Sequence, residues 1–127
     1  MAELPAGYKD VPEEDRKKAN AFFEYGRTRA ATAQFDYSIE MYLSGLKLDP
    51  ESIEAHQELR DVSLKRKASG GKKLGMLEVI KLKRPSKDDK DNMLAAEKLL
   101  SYDPGEASYM LQIAQNAYRA GYFDTVL

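Results

Sequence analysis

The side chains that most often carry out chemistry are scarce in this chain. It has no cysteine and one histidine, His56. The lack of cysteine excludes disulfides, thiolate metal sites and a cysteine nucleophile. A single histidine excludes any catalytic or metal site that needs two imidazoles. Because the sequence defines no Ser/His/Asp triad around His56, we assign it a packing role between helices, and we expect no enzymatic activity, cofactor or metal.

Two other motifs are explained without chemistry. The segment Gly70-Gly71-Lys72-Lys73 lacks the spaced glycine of a phosphate loop, the Ser or Thr after the lysine, and a preceding strand. The acidic pairs at 13–14 and 88–89 fall at predicted helix starts, where carboxylates offset the helix dipole. Neither motif therefore predicts an active site.

Charge is balanced overall but unevenly distributed. The chain has 20 basic and 21 acidic residues, which argues against a wholly basic nucleic-acid binder. Residues 60–90 hold eleven basic and four acidic side chains, a net charge of +7, and the remainder carries −8. We interpret this segment as a solvated surface, with anion or nucleic-acid contact as the alternative. The residues that would make that contact are Lys65, Arg66, Lys67, Lys72 and Lys73.

Composition favours a folded protein without membrane spans. Hydrophobic residues make up 43% of the chain and charged residues 32%. No apolar run approaches the ~20 residues that cross a bilayer, and the first residues lack the pattern of a signal peptide. We therefore expect a cytoplasmic protein with no membrane partner.

Apolar residues fall three and four apart, which predicts an all-α protein. A first helix is expected from Pro12 to about Ala31, a second over 35–48, and a third over about 51–67 with Asp49 as its cap. Residues 73–84 are ambiguous, Ser86 caps a helix through 100, and further helices cover about 104–119 and begin near 122. The predicted core residues of the first two helices are Phe22, Tyr25, Phe35, Ile39, Tyr42 and Leu46.

The strongest signal is an internal repeat. Leu46-Lys-Leu-Asp-Pro50 recurs as Leu100-Ser-Tyr-Asp-Pro104, and a small residue precedes an aromatic by nine positions in both units (26 and 35, 114 and 123). Over 22–50, the order of aromatic, small and Leu-x-Leu-x-Pro positions resembles the tetratricopeptide repeat, a 34-residue helix–turn–helix. The chain departs from that family at Arg29 and Arg60, where the family has an aromatic and a small residue.

The resemblance implies a right-handed α-solenoid of antiparallel helix pairs. Repeat 1 would cover about 19–52, a degenerate repeat 2 about 53–106 with a basic insertion near 68–85, and a partial repeat 3 about 107–127, after a tail over 1–11. The insertion follows from the 54 residues between the two Asp-Pro prolines, about twenty more than the family period. Since Val126 and Leu127 offer no polar cap, we expect a piece of a longer protein with self-association at this edge.

In this family the first helices of successive repeats line a concave groove that binds peptides. The resemblance therefore implies a protein–protein interaction scaffold that binds a peptide or helix of another protein. Its groove residues would be Asn20, Phe23, Arg27, Gln57, Glu58, Asp61, Leu111, Gln115 and Tyr118. Phe23, Arg27 and Glu58 replace residues with which a subset of the family grips chaperone carboxylates, so that activity is disfavoured.

Overall fold

A computed structural model describes residues 11–121 of the chain. Within that range it contains helices only, which confirms the all-α prediction. The helices are α1 (Glu13–Ala31), α2 (Phe35–Leu48), α3 (Ile53–Ala68), α4 (Met76–Lys83), α5 (Asp89–Tyr102) and α6 (Ala107–Ala120). Among these residues, none of the helices has the length and apolar character needed to cross a membrane. The predicted helix near Tyr122 and the apolar end at Val126 and Leu127 lie outside the described residues.

Three helix starts differ from the predicted ones. α3 begins after Ser52, whose hydroxyl accepts the N–H of Ala55 at 3.2 Å, so Asp49 is not its cap. α5 begins after Asp88 instead of Ser86, and α6 begins after Glu106. In each case a side-chain oxygen near the start accepts a backbone N–H of the first turn, which stabilises that start over the upstream proline.

Two glycines allow α1 and α2 to pack closely. A Cβ atom at Gly26 would lie 2.7 Å from Cε2 of Tyr42, and a Cβ atom at Gly45 would overlap the ring of Phe23. Each glycine thus makes room for an aromatic ring of the other helix, and the two rings stack with centroids 6.1 Å apart. Ser38 is fully buried beside them and its hydroxyl donates to the carbonyl of Gly26 at 2.7 Å.

The buried stripe of α1 differs from the predicted one. Ile39, Tyr42 and Leu46 of α2 are buried as expected, whereas Tyr25 is 58% exposed and was wrongly placed in the core. The buried residues of α1 are Ala19, Phe23 and Gly26. The reason is that α2 contacts α1 along the Phe23–Gly26 line, which rotates Tyr25 outward and leaves Phe22 only partly buried.

Two apolar clusters form the interior. The first joins α1, α2 and α3, and the second joins α5 and α6 around Met93 and Ile113. Leu94 packs against both clusters and links them. α4 lies in the predicted insertion and packs Val79 and Leu82 on the second cluster. α5 contacts α2, α3, α4 and α6, so these four helices cover its apolar side chains on several sides.

Candidate partner-binding surface

The residues predicted to line a groove come from α1, α3 and α6. α1 and α3 are joined by a two-pronged ion pair, in which Arg27 Nε lies 2.5 Å from Glu58 Oε1 and Arg27 Nη2 lies 3.0 Å from Glu58 Oε2. Glu54 is a further 3.8 Å neighbour of the same guanidinium. The hydrogen bonds that Arg27 donates to the Glu58 carboxylate, and the negative charge of that carboxylate, raise the pKa of Arg27. Arg27 and Glu58 therefore neutralise each other, and Glu54 leaves one negative charge beside the pair.

Phe23 was wrongly assigned to the exposed groove. It is 2% exposed and packs into the first apolar cluster against Gly45 and Tyr42. The sequence predicts one shared helix face for Asn20, Phe23 and Arg27, because they are three and four positions apart. The close contact of α1 with α2 decides the outcome, because it turns Phe23 inward and leaves Asn20 and Arg27 at the surface.

A cleft of about 280 Å³ lies between α1 and α3. Its lining includes three of the predicted residues, Arg27, Glu58 and Asp61, together with Tyr42 and Lys65. Burial, aided by the Glu58 carboxylate, raises the pKa of Tyr42 to about 12, so its phenol stays protonated at neutral pH. The cleft is thus lined by side chains that can form hydrogen bonds and by the Arg27–Glu58 ion pair, whose two charges neutralise each other.

α6 presents the most apolar part of the predicted surface. Leu111 is 60% exposed and Tyr118 is 64% exposed. With Gln115 they are spaced at i, i+4 and i+7, which places all three on one face of the helix. A pocket of about 340 Å³ is lined in part by Ala114, Gln115, Tyr118 and Arg119. Gln57 and Asp61 of α3 are also exposed.

The single histidine lies between α3 and α5, where it makes a buried polar contact. His56 Nδ1 lies 3.1 Å from Glu97 Oε2, and Nε2 lies 2.8 Å from the carbonyl oxygen of Pro50. Burial alone would lower the pKa of His56, but the hydrogen bond and charge of Glu97 outweigh it and raise the pKa. Since both ring nitrogens face acceptors, the imidazolium form satisfies the site best. Sequence reasoning identified the packing role but missed Glu97, which is 41 positions away.

Arg66 belongs to the interior and was wrongly proposed as an anion contact. It is 8% exposed, donates to Asp36 Oδ1 and to the carbonyl of Lys72, and stacks on the ring of Tyr102 at 4.5 Å. Its charge is therefore used to hold α2, α3, α5 and the insertion together. Of the other four predicted anion contacts, all are exposed, and one, Lys73, pairs with Asp103 at 3.6 Å.

No family model, curated protein or solved structure matches this chain. Within residues 11–121, His, Asp and Glu side chains form no group of three or more that could hold a metal ion. The candidate site consists of the exposed residues of α1 and α3 that the Arg27–Glu58 pair joins, and of the exposed face of α6 that carries Leu111 and Tyr118.

Proposed function

We propose that this protein is an interaction scaffold of the tetratricopeptide type, which binds a peptide or helix of another protein on the surface formed by α1, α3 and α6. The observation that carries the proposal is the pair of large exposed side chains on one face of α6, Leu111 and Tyr118. Tyrosine is enriched among the residues that dominate binding energy at interfaces.

The pattern of helix contacts supports a repeat array. α1 packs on α2, α2 on α3, α3 on α5 and α5 on α6, so each helix contacts the next when α4 is treated as an insertion. α2 also contacts α5, as expected for the second helices of successive pairs, and Arg27 joins α1 to α3, as expected for the first helices. Neighbours that cover one another in sequence are the defining feature of a solenoid.

The chemistry of the surface indicates the kind of segment it would bind. Leu111 and Tyr118 offer apolar contact area, while the amides of Gln57 and Gln115 donate to and accept from a peptide backbone. Arg27 and Glu58 neutralise each other. The preferred ligand is therefore a segment with an apolar anchor residue and low net charge.

A displayed peptide library tests this proposal without a known partner. Peptides are selected on the intact chain, and their affinities are then measured against the double variant Leu111→Ala/Tyr118→Ala. We expect a loss of at least tenfold in affinity, since hot-spot residues contribute about 2 kcal/mol or more each. The matched control is Tyr25→Ala/Leu77→Ala, which removes an exposed tyrosine of α1 and an exposed leucine of α4 that are not among the predicted groove residues.

Salt dependence separates the proposal from the nucleic-acid alternative. Binding of an uncharged peptide to this surface should change little between 50 and 200 mM salt, whereas phosphate contacts would weaken steeply. Selected peptides that bind both double variants equally well would contradict the proposal. So would high-affinity binding of an oligonucleotide that falls steeply with salt while no peptide is enriched.

A further inference from the structure

The insertion helix α4 has an apolar outer face. Met76 is 79% exposed, Leu77 is 77% exposed and Ile80 is 53% exposed. The inner face carries Val79 and Leu82, which pack on the α5–α6 cluster. We call Met76, Leu77 and Ile80 the α4 ridge. At 100° per residue these three side chains lie within one side of the helix, opposite to the packed side.

The ridge is held in place by contacts on the inner side of α4. Glu78 Oε1 accepts from Lys98 Nζ at 3.2 Å, and the same ammonium contacts Glu40 of α2 at 3.3 Å. Lys83 Nζ lies 5.6 Å from the ring centre of Tyr109. The exposed side chains therefore project from an anchored helix.

The chain segment that contains the ridge is rich in basic residues. Residues 68–85 contain five basic side chains and one acidic side chain, and the acidic one, Glu78, is paired with Lys98. Two of the five are exposed beside the ridge, Lys81 on α4 and Arg84 directly after it, and we call this pair the basic collar. Outside 60–90 the chain carries a net charge of −8, so the segment that contains the ridge is the part of the chain that an anionic surface would attract.

We propose that the α4 ridge and basic collar form a docking site for an anionic lipid surface. The three apolar side chains would lie at the boundary between headgroups and acyl chains, and the collar would pair with lipid phosphates. This inference does not depend on the proposed peptide-binding function. The expectation of no membrane partner rested on the lack of a spanning segment, which surface binding does not require.

The shape of the site favours a lipid surface over a protein partner. The ridge is the outward side of a helix about 12 Å long, and each of its three large side chains is more than half exposed. A protein partner would need a preformed groove with an acidic rim, whereas a fluid bilayer accommodates a projecting ridge. The clustering of lysine and arginine around an apolar helix face is the pattern that attracts anionic lipids.

Vesicle sedimentation tests the proposal with defined probes. We expect the intact chain to bind vesicles of phosphatidylcholine with 30–40 mol% phosphatidylglycerol and to bind pure phosphatidylcholine at least tenfold more weakly. Neutralising Lys81 with Lys81→Gln should lower the partition coefficient about fivefold, the factor equivalent to one basic residue near a membrane surface. Raising the salt concentration should weaken binding.

The triple variant Met76→Ser/Leu77→Ser/Ile80→Ser tests the apolar part of the site. It should lose at least tenfold in partitioning while keeping the helical circular dichroism of the parent, because these side chains lie outside the core. The control Ile53→Ser/Leu64→Ser alters two exposed apolar residues of α3 and should bind as the parent does. Each comparison uses the full chain.

Three results would overturn the proposal. One is a lack of binding to anionic vesicles at low salt, and another is a triple variant that binds them as well as the parent. The third is a parent chain that binds vesicles weakly or not at all, combined with a triple variant that has lost self-association or binding to polyglutamate. That last outcome would assign the ridge to a protein surface.

Discussion

The buried pair of His56 and Glu97 gives a sharp prediction about stability and pH. In the variant Glu97→Gln the imidazole keeps a hydrogen-bonding neighbour but loses the carboxylate whose charge and hydrogen bond raise its pKa. The Glu97 side chain is 7% exposed and that of His56 is 17% exposed, so water screens the pair poorly. Below pH 6.5 we expect the variant to be about 2–3 kcal/mol less stable than the parent. This destabilisation is smaller than that of most buried ion pairs that lose one partner, because the imidazole can release its proton.

The sign of the pH dependence follows from the raised pKa. A group whose pKa is higher in the folded than in the unfolded protein contributes stability that is fully present below its unfolded pKa of about 6.5. That contribution is lost as pH rises through the folded pKa of His56, with a limiting slope of about −1.4 kcal/mol per pH unit. In Glu97→Gln burial lowers the pKa of His56 against the individually weaker raising effects of the Pro50 carbonyl and the Glu51 charge, so the stability of the variant should rise with pH near 6. The two stability curves should therefore converge toward pH 9.

Urea unfolding followed by circular dichroism, from pH 5 to pH 9, measures both curves. The control is Glu13→Gln, which removes the charge of an 83% exposed glutamate paired with Lys17 and should shift stability by less than about 0.5 kcal/mol at every pH. A difference between Glu97→Gln and the parent that stays constant across the pH range would refute the assignment of a charged His56.

Three further predictions concern packing and ion pairs. Gly45→Ala should lower the free energy of unfolding by about 1–3 kcal/mol, because the added Cβ would overlap an aromatic ring of α1. The control is Gly75→Ala, which should change the free energy of unfolding little because nothing lies within 4 Å of the new atom. Urea unfolding compares the two variants. Arg66→Lys should lower the free energy of unfolding by about 2 kcal/mol in the same assay, because lysine cannot donate to two acceptors as the guanidinium does or stack on the ring of Tyr102. An unchanged free energy of unfolding would show that the buried guanidinium is dispensable. A double-mutant cycle with Arg27→Ala and Glu58→Ala should give a coupling of about 0.5–1 kcal/mol, since the arginine side chain is 44% exposed, and a coupling near zero would show that the pair is not formed in solution.

Helix positions could be predicted from the sequence because their signals are local. The extents of α1 and α2 agree with the predicted ones within a residue, since periodic apolar residues and the Pro12 start fix them. The start of α3 could not be fixed this way, because Asp49, Pro50 and Ser52 are competing signals and only the hydroxyl of Ser52 meets a backbone N–H.

Side-chain roles that depend on distant contacts could not be predicted. Phe23 and Tyr25 both fit a helical apolar stripe, and the position of α2 decides which one is buried. Arg66 belongs to a basic run in the sequence, but Asp36 and Tyr102, thirty or more positions away, draw it inside. The exposed side of α4 could not be predicted for a related reason, because a short apolar segment does not show which of its sides will pack against other helices.

Chemical-shift mapping of a library-selected peptide on the isotopically labelled chain tests the central proposal most directly. Binding on the surface of α1, α3 and α6 predicts that the largest amide shifts fall at Gln57, Leu111, Gln115 and Tyr118, with little change along α2 and α4. Shifts concentrated on α2, α4 or α5, with α3 and α6 unmoved, would contradict it.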